Sequence, residues 1–413
     1  MKIGMKRVLF VDDDRNVLDG LRRMLRGSRH QCVMEFVESG ARALERLAVV
    51  PFDMVIADMR MPRMDGSELL REVMIRWPAT VRIILSGQCD RQSVLKALGP
   101  THQFVTKPCD PDRLKATMAG ICSLRDQLHD EQMKQVVSRV QSIPSWRPMY
   151  ERFVAELESP EACIDRLGQI VARDVGLTGK VLQLVNSGFF GTPQRVYDPA
   201  RAVTLLGSDT LRQLLHSTNA IVPFDVRDSF DTPLQLLGTH ALAVAIAARE
   251  IAKAESDDAT VIKSAHLAGL LHDVGILVLA GERPDRYVEV IDAANRDQIS
   301  LREAELVVFG TTRDDVGAYL MGLWGIPDPA VKAIASHLRP WQSVSQAFDP
   351  LTAVHVANAL IEQEMIGVPG PVSRVDTEYL ARIGCADRLE VWADICRAAW
   401  KEAVAAYTPS AVC

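Results

Sequence analysis

Three acids in a row, Asp12, Asp13 and Asp14, follow a short apolar run at the start of the chain. Asp58 closes a second run, Ser86 a third, and Lys107 lies just past a fourth. Clustered carboxylates repel one another unless a cation sits between them. Hard oxygen ligands select Mg2+, which keeps several waters and uses one or two carboxylates together with phosphate oxygens. A carboxylate beside such an ion can attack a phosphoryl group and form an acyl phosphate. Mg2+ and the Lys107 ammonium would neutralise charge on the transferred group, and the Ser86 hydroxyl would hydrogen-bond it after transfer. A lone acid or hydroxyl at a strand end is ordinarily a helix cap, the reading for Asp14 or Ser39 alone. Four strand ends supplying three carboxylates, a hydroxyl and an ammonium carry a stronger signal. A second group is spread over the later chain: His240, the pair His272-Asp273, and His337.

The elements that must position these residues can be read from periodicity. Strands are predicted at Arg7–Val11, Val33–Val37, Met54–Ala57, Arg82–Leu85 and Phe104–Thr106. Helical patterns follow the first four, at Asn16–Leu25, Ala41–Leu47, Ser67–Arg76 and Arg91–Leu98. This alternation predicts a doubly wound parallel sheet with helices on both faces. Ligands of such a sheet bind outside the carboxyl ends of its strands, where the acids fall. Beyond Pro111, Leu114, Ile121 and Leu128 recur seven apart, with Met118 and Leu124 in the same stripe and Met133, Val136 and Val140 after a break. The spacing predicts a long linker helix that either packs on its own domain or pairs with a second copy of the chain. Ile143-Pro144 and Arg147-Pro148 mark a boundary, after which the periodicity is almost wholly helical and no run reads as a strand.

The chain of 413 residues is 48% hydrophobic and 24% charged, which excludes a mainly disordered or collagenous protein and predicts two or three domains. No apolar run is read as a membrane span, and the acids after the first apolar run exclude a secretory signal. Eight scattered cysteines without a C-x-x-C pair predict reduced thiols and a cytoplasmic protein. Residues 1–124 carry 20 Lys/Arg against 15 Asp/Glu; subtraction from totals of 47 and 53 leaves 27 against 38 for the remainder. An output domain with that acidic balance is not expected to bind DNA.

Val11-Asp12-Asp13-Asp14, Asp58-Met59-Arg60-Met61-Pro62, Asp65-Gly66, Leu85-Ser86-Gly87 and Lys107-Pro108 together resemble the receiver domain of two-component response regulators. The resemblance implies a flavodoxin-like five-stranded sheet and makes Asp58 the phosphoacceptor of a cognate histidine kinase. It also implies Mg2+ bound by Asp13 and Asp58 directly, by Asp12 through water, and by the Arg60 backbone carbonyl. Ser86 and Phe104 match the switch hydroxyl and ring.

The three histidine-bearing helices resemble the HD superfamily of metal-dependent phosphohydrolases. Asp174 to Gly191, Ala202-Val203-Thr204-Leu205-Leu206-Gly207 and Trp324-Gly325-Ile326-Pro327 are closer to its non-catalytic branch, the HDOD domain. Against metal-binding relatives, Arg313 stands for a histidine, Leu338 for a second, and Asn358 for an aspartate. A fixed guanidinium opposes a dication, and ligand charge largely sets cation affinity. The expectation is a degenerate site of His240, His272, Asp273, Arg313, His337 and Asn358, in which Arg313 pairs with Asp273 and no cofactor is held. The Gly-Tyr-Pro signature of cyclic-dinucleotide phosphodiesterases is missing after His337.

The division expected is a receiver over 1–125, a helical linker over 126–143, an HDOD domain over 144–345 and a helical extension over 346–413. The function expected is phosphorylation-controlled binding of an unidentified downstream protein, without DNA or membrane and with a homodimer possible through the linker. The alternative is a phosphohydrolase or cyclic-nucleotide-binding output that uses the His240/His272/Asp273 pocket.

Overall fold

A computed structural model of the chain describes residues 5–28, 32–87, 97–186, 195–217, 221–224, 236–365 and 370–407. Most of the expected helix Arg91–Leu98 and the stretch Ser187–Gly191 lie outside these residues.

Five parallel strands form one sheet: β1 (Lys6–Val11), β2 (Cys32–Val37), β3 (Met54–Asp58), β4 (Val81–Ser86) and β5 (Gln103–Thr106), in the order β2-β1-β3-β4-β5. Each lies within one residue of its expected bounds. Every residue of β3 and β4 is buried, as befits central strands covered on both faces. The helices α1 (Arg15–Met24), α2 (Gly40–Val49) and α3 (Gly66–Arg76) start at side-chain caps from Asp14, Ser39 and Asp65. Asp65 forms a capping box with Glu68. Gly66 is required by close approach: a Cβ there would stand 2.1 Å from the Asp58 carbonyl oxygen.

The expected long linker helix is two helices, α4 (Pro111–Gln127) and α5 (Glu131–Val137). The chain leaves α-conformation at Leu128, and Asp130 caps the second helix. Leu114, Met118, Ile121, Leu128 and Met133 are all buried within the same chain. The stripe is therefore not an open seam for a second copy. Arg125, which breaks the heptad, is buried as well; it pairs with Asp53 at 3.1 Å and donates to the Ala79 carbonyl.

The remainder is a helical layer structure from α6 (Arg147–Glu158) onward: α7 (Ile164–Val171), α8 (Val175–Val185), α9 (Pro199–Leu206), α10 (Ser208–Ser217), α11 (Leu237–Glu255), α12 (Ala259–Leu271), α13 (Val274–Glu282), α14 (Pro284–Asp297), α15 (Leu301–Phe309), α16 (Arg313–Leu323), α17 (Asp328–Ser336), α18 (Pro350–Glu362), α19 (Thr377–Arg382) and α20 (Leu389–Tyr407). Two short strands that the sequence did not signal, β6 (Ser145–Trp146) and β7 (Pro223–Phe224), pair in parallel. The single helix expected over Ala265–Leu279 is broken at His272-Asp273. Among the described residues, Ala259–Glu282 is the one apolar stretch of spanning length, and most of it is buried inside the fold. It packs at the centre of the helical domain, where α12 touches α11, α17 and α18. The terminal helix α20 covers α11.

Candidate functional site

The carboxyl edge of the sheet gathers the first group of residues. Asp12 follows β1, Asp58 ends β3, Ser86 ends β4, and Lys107 follows β5. The Lys107 ammonium donates to both Asp12 and Asp58. The Arg60 backbone N–H donates to Asp58 Oδ2 at 2.7 Å, and Asp14 N–H to Asp12 Oδ1 at 3.0 Å. Asp58 is almost buried, and that desolvation raises its pKa against the pull of Lys107. Burial would lower Lys107, but its two carboxylate partners outweigh it and hold the ammonium charged. Asp13 is exposed on the rim. Ser86 is buried and its hydroxyl donates to the Gly87 carbonyl at 3.2 Å, while Phe104 is buried on β5.

The donor set fits a hard cation, with three carboxylates and the Arg60 carbonyl on one edge. In this conformation the ammonium of Lys107 already joins two of those carboxylates. Among the described residues, the compact metal-ligating set lies elsewhere, in the helical domain.

There His240 on α11, His272 at the end of α12, and Asp273 at the start of α13 offer ligand atoms within 4.8 Å of one another. His240 Nε2 lies 3.1 Å from His272 Nε2 and 3.0 Å from Asn358 Oδ1. Asp273 Oδ2 is 3.2 Å from His272 Nε2 and 3.7 Å from His240 Nε2. The His272 Nδ1–H faces the Gly269 carbonyl at 2.7 Å, which leaves Nε2 toward the cluster. The break between α12 and α13 is what turns Asp273 into this centre.

Arg313 Nε stands 3.0 Å from Asp273 Oδ1, the pairing expected from the sequence. Burial would lower the guanidinium pKa, but Asp273 and Glu305 raise it, so the cation is permanent. Asp273 is held well below its usual range by His272 and Arg313 despite burial. Burial and the neighbouring His272 push His240 down to about 4 and His337 down to about 3. His272 itself is raised, because Asp273 outweighs its burial. The donors fit one metal ion, on His240, His272, Asp273 and Asn358. A second ion beside it would meet the Arg313 guanidinium, which already pairs with Asp273 Oδ1.

Two acids of this cluster were missed in the sequence. Glu305 on α15 accepts the Arg313 backbone N–H at 2.9 Å and lies 3.4 Å from its Nη1. Burial raises its pKa to about 7. Glu362 accepts from Asn358 Nδ2 at 3.2 Å and from Ser373 N–H at 2.6 Å. Its spacing of four from Asn358 on one helix was a usable signal; Glu305 had none. A cavity of about 240 Å³ opens beside the cluster, bordered by Arg302, Arg313, His337, Asn358, Glu362 and Ser373.

Comparison with known proteins supplies family membership. Residues 8–119 match the response regulator receiver domain, and residues 143–340 match the HDOD domain. The transcriptional regulatory protein ZraR of Escherichia coli is 33% identical over 112 residues, 27% of this chain and 25% of that protein. The signal receiver domain of an HD domain-containing protein from Pseudomonas fluorescens is 30% identical, covering 27% of this chain and 90% of that one, with a TM-score of 0.26. The MmoQ response regulator of Methylococcus capsulatus is 23% identical, covering 62% of this chain and 98% of that one, with a TM-score of 0.47. The chain spans about half the length, or less, of the curated relatives it matches.

Proposed function

The chain belongs to the response regulators that join a receiver domain to an HDOD domain, and from that premise we propose that Asp58 accepts a phosphoryl group from a histidine kinase and that the helical domain is a protein-binding output. The observation that carries this reading is the Lys107 ammonium joined to Asp12 and Asp58 at the carboxyl edge of the sheet. An Asp58 oxygen forms the new O–P bond as the P–N bond of the kinase phosphohistidine breaks, and the imidazole leaves with a proton. Lys107 then balances charge on the phosphoryl oxygens. Ser86 turns its hydroxyl from the Gly87 carbonyl toward one of them. Asp12, Asp13, Asp58 and the Arg60 carbonyl would hold Mg2+, which supplies charge neutralisation at the transferred group.

The output reading rests on Arg313. One carboxylate oxygen of Asp273 is paired to a guanidinium, which places a fixed positive charge against any cation at that acid. We therefore read it as non-catalytic, acting on a downstream protein rather than on DNA, within a cytoplasmic regulator. The division into 1–125, 126–143, 144–345 and 346–413 is retained with one change of emphasis: α18, beyond 345, supplies Asn358 and belongs with the site. A second reading, a metal- or nucleotide-using output, is favoured by the convergence of His240, His272 and Asp273. Elemental analysis of the purified chain separates the two, with stoichiometric manganese, iron or zinc supporting the second.

The first reading is tested with a small phosphodonor and Mg2+. Wild type takes one label and Asp58→Asn none; equal labelling of the variant would overturn the assignment.

A further inference from the structure

The cavity beside the buried cluster takes no part in the chemistry of Asp58, and its wall carries an excess of positive charge. At about 240 Å³ it is smaller than the roughly 300–1,000 Å³ of pockets that take drug-sized ligands, so it suits a small molecule. Three guanidinium groups border it, Arg302, Arg313 and Arg374, against one carboxylate, Glu362. Arg313, at the buried end, is shared by Asp273 and Glu305. Arg302 stands 3.4 Å from Asp314, a carboxylate that Arg339 already holds at 2.7 Å. Arg374 is exposed, like its neighbour Pro371, and marks the side open to solvent; it has no ion-pair partner among the described residues. Glu362 offsets one of the three charges, and its oxygens already accept from Asn358 Nδ2 and the Ser373 N–H.

Two helix starts add to this field. α15 begins at Leu301 and α16 at Arg313, and both residues border the cavity. The positive ends of two helix dipoles therefore meet there, and such ends favour anions. Guanidinium forks match phosphoryl oxygens two at a time. The wall also offers acceptors. His337 is fully buried and gives its Nδ1–H to the Ile334 carbonyl at 2.8 Å, which leaves Nε2 as a lone-pair acceptor without a hydrogen-bond partner among the described residues. With Glu362 it suits hydroxyl donors. Cations from the mouth to the buried end, with acceptors between them, match an anion whose organic part carries hydroxyls.

We propose that this cavity binds a hydroxylated phosphate monoester of about sugar-phosphate size, held without a metal ion by Arg302 and Arg374 in the field of Arg313. This rests on the reading of the helical domain as non-catalytic. A guanidinium attracts phosphoryl oxygens as a metal ion would, but it cannot coordinate and activate a water, so the ester is held and not cleaved. The helical domain is then a receptor for a small phosphorylated molecule, and this input is separate from the one that enters at Asp58.

The test is a calorimetric titration of the full chain in EDTA, with ribose 5-phosphate, inorganic phosphate and ribose as probes. Ribose 5-phosphate should bind at one site, inorganic phosphate more weakly, and ribose not at all. Arg302→Gln and Arg374→Gln should each weaken binding about tenfold or more, the loss of one charged hydrogen bond, and Arg374→Lys should recover part of it. Arg374 is exposed and unpaired, so Arg374→Gln should melt like wild type without ligand, which separates lost binding from lost fold. If neither phosphate binds at millimolar concentration, or if both glutamine variants bind with wild-type affinity, the site is refuted and the non-catalytic reading stands. A requirement for Mn2+ also refutes it, because a metal would then hold the phosphate. Affinity no better than that of inorganic phosphate overturns the recognition of hydroxyls by His337 and Glu362. If ribose 5-phosphate binds as described but wild type splits it to inorganic phosphate and His272→Ala does not, the site stands and the non-catalytic reading falls.

Discussion

Arg313 is a guanidinium with almost no solvent, shared between Asp273 at 3.0 Å and Glu305 at 3.4 Å. Removing one partner of such a cluster leaves an uncompensated buried charge, which costs roughly 3–5 kcal/mol. Arg313→Met alone should therefore destabilise the helical domain by that order, measured by denaturant unfolding. The pair Arg313→His with Asn358→Asp adds a neutral donor and an anion, and should raise Mn2+ affinity in a calorimetric titration. If it does not, Arg313 is not standing in a ligand position. The buried histidines set a pH dependence. His240 and His337 stay neutral in the folded chain down to about 4 and about 3. Their ordinary pKa is about 6.5, so between there and pH 4 the unfolded chain binds more protons. These two groups make stability fall as pH drops from 6.5 toward 4, while Glu305, raised to about 7, binds its proton in the folded chain over that window and opposes them. His272 is shifted the other way, because Asp273 outweighs its burial, and it too opposes the trend at the upper end of the window. His337→Gln should flatten the slope of melting temperature against pH. His240, His272, Asp273 and Arg313 were legible from the sequence because each sits at a motif position. Glu305 was not, because an acid beside Ala304 on a half-apolar helix carries no pattern of its own.

At the scale of elements, strands and caps were the legible part. Short β-rich apolar runs predicted all five strands of the sheet, because central strands of a parallel sheet are continuous apolar runs with sharp ends. Breaks inside helical stretches were not legible. The stripe from Leu114 to Leu128 has heptad spacing in sequence, yet α4 ends at Gln127 and its apolar face is covered by the chain's own domains. Periodicity reports that a face is buried, without saying by what. Ile121→Asp should therefore destabilise the monomer by about 3 kcal/mol or more, as an unpaired buried charge does, with no change of molecular mass. A shift from dimer to monomer in light scattering would instead restore the intermolecular seam. Gly66 is the other element-scale constraint. Gly66→Ala places a methyl group against the Asp58 carbonyl and should cost about 1–3 kcal/mol of overpacking. It should also slow phosphodonor labelling, since Asp58 must shift to make room.

For the whole molecule, the regulator is an α/β receiver whose β5 and α4 face is packed on an all-α domain through Gly322 and the turn that follows it. The two-domain division was legible from the change of periodicity near Pro144. Their contact was not, since Gln103 and Gly322 are ordinary residues 219 positions apart and only the folded chain brings them together. The central claim is that the state of Asp58 is felt by the helical domain across that contact. Scanning calorimetry of the intact chain tests it most directly. The account predicts one cooperative transition for the resting chain, because the domains share an interface, and two separated transitions after treatment with a phosphodonor and Mg2+, with Asp58→Asn keeping one. Two independent transitions in the untreated chain, or an unchanged profile in wild type labelled at Asp58, would contradict it.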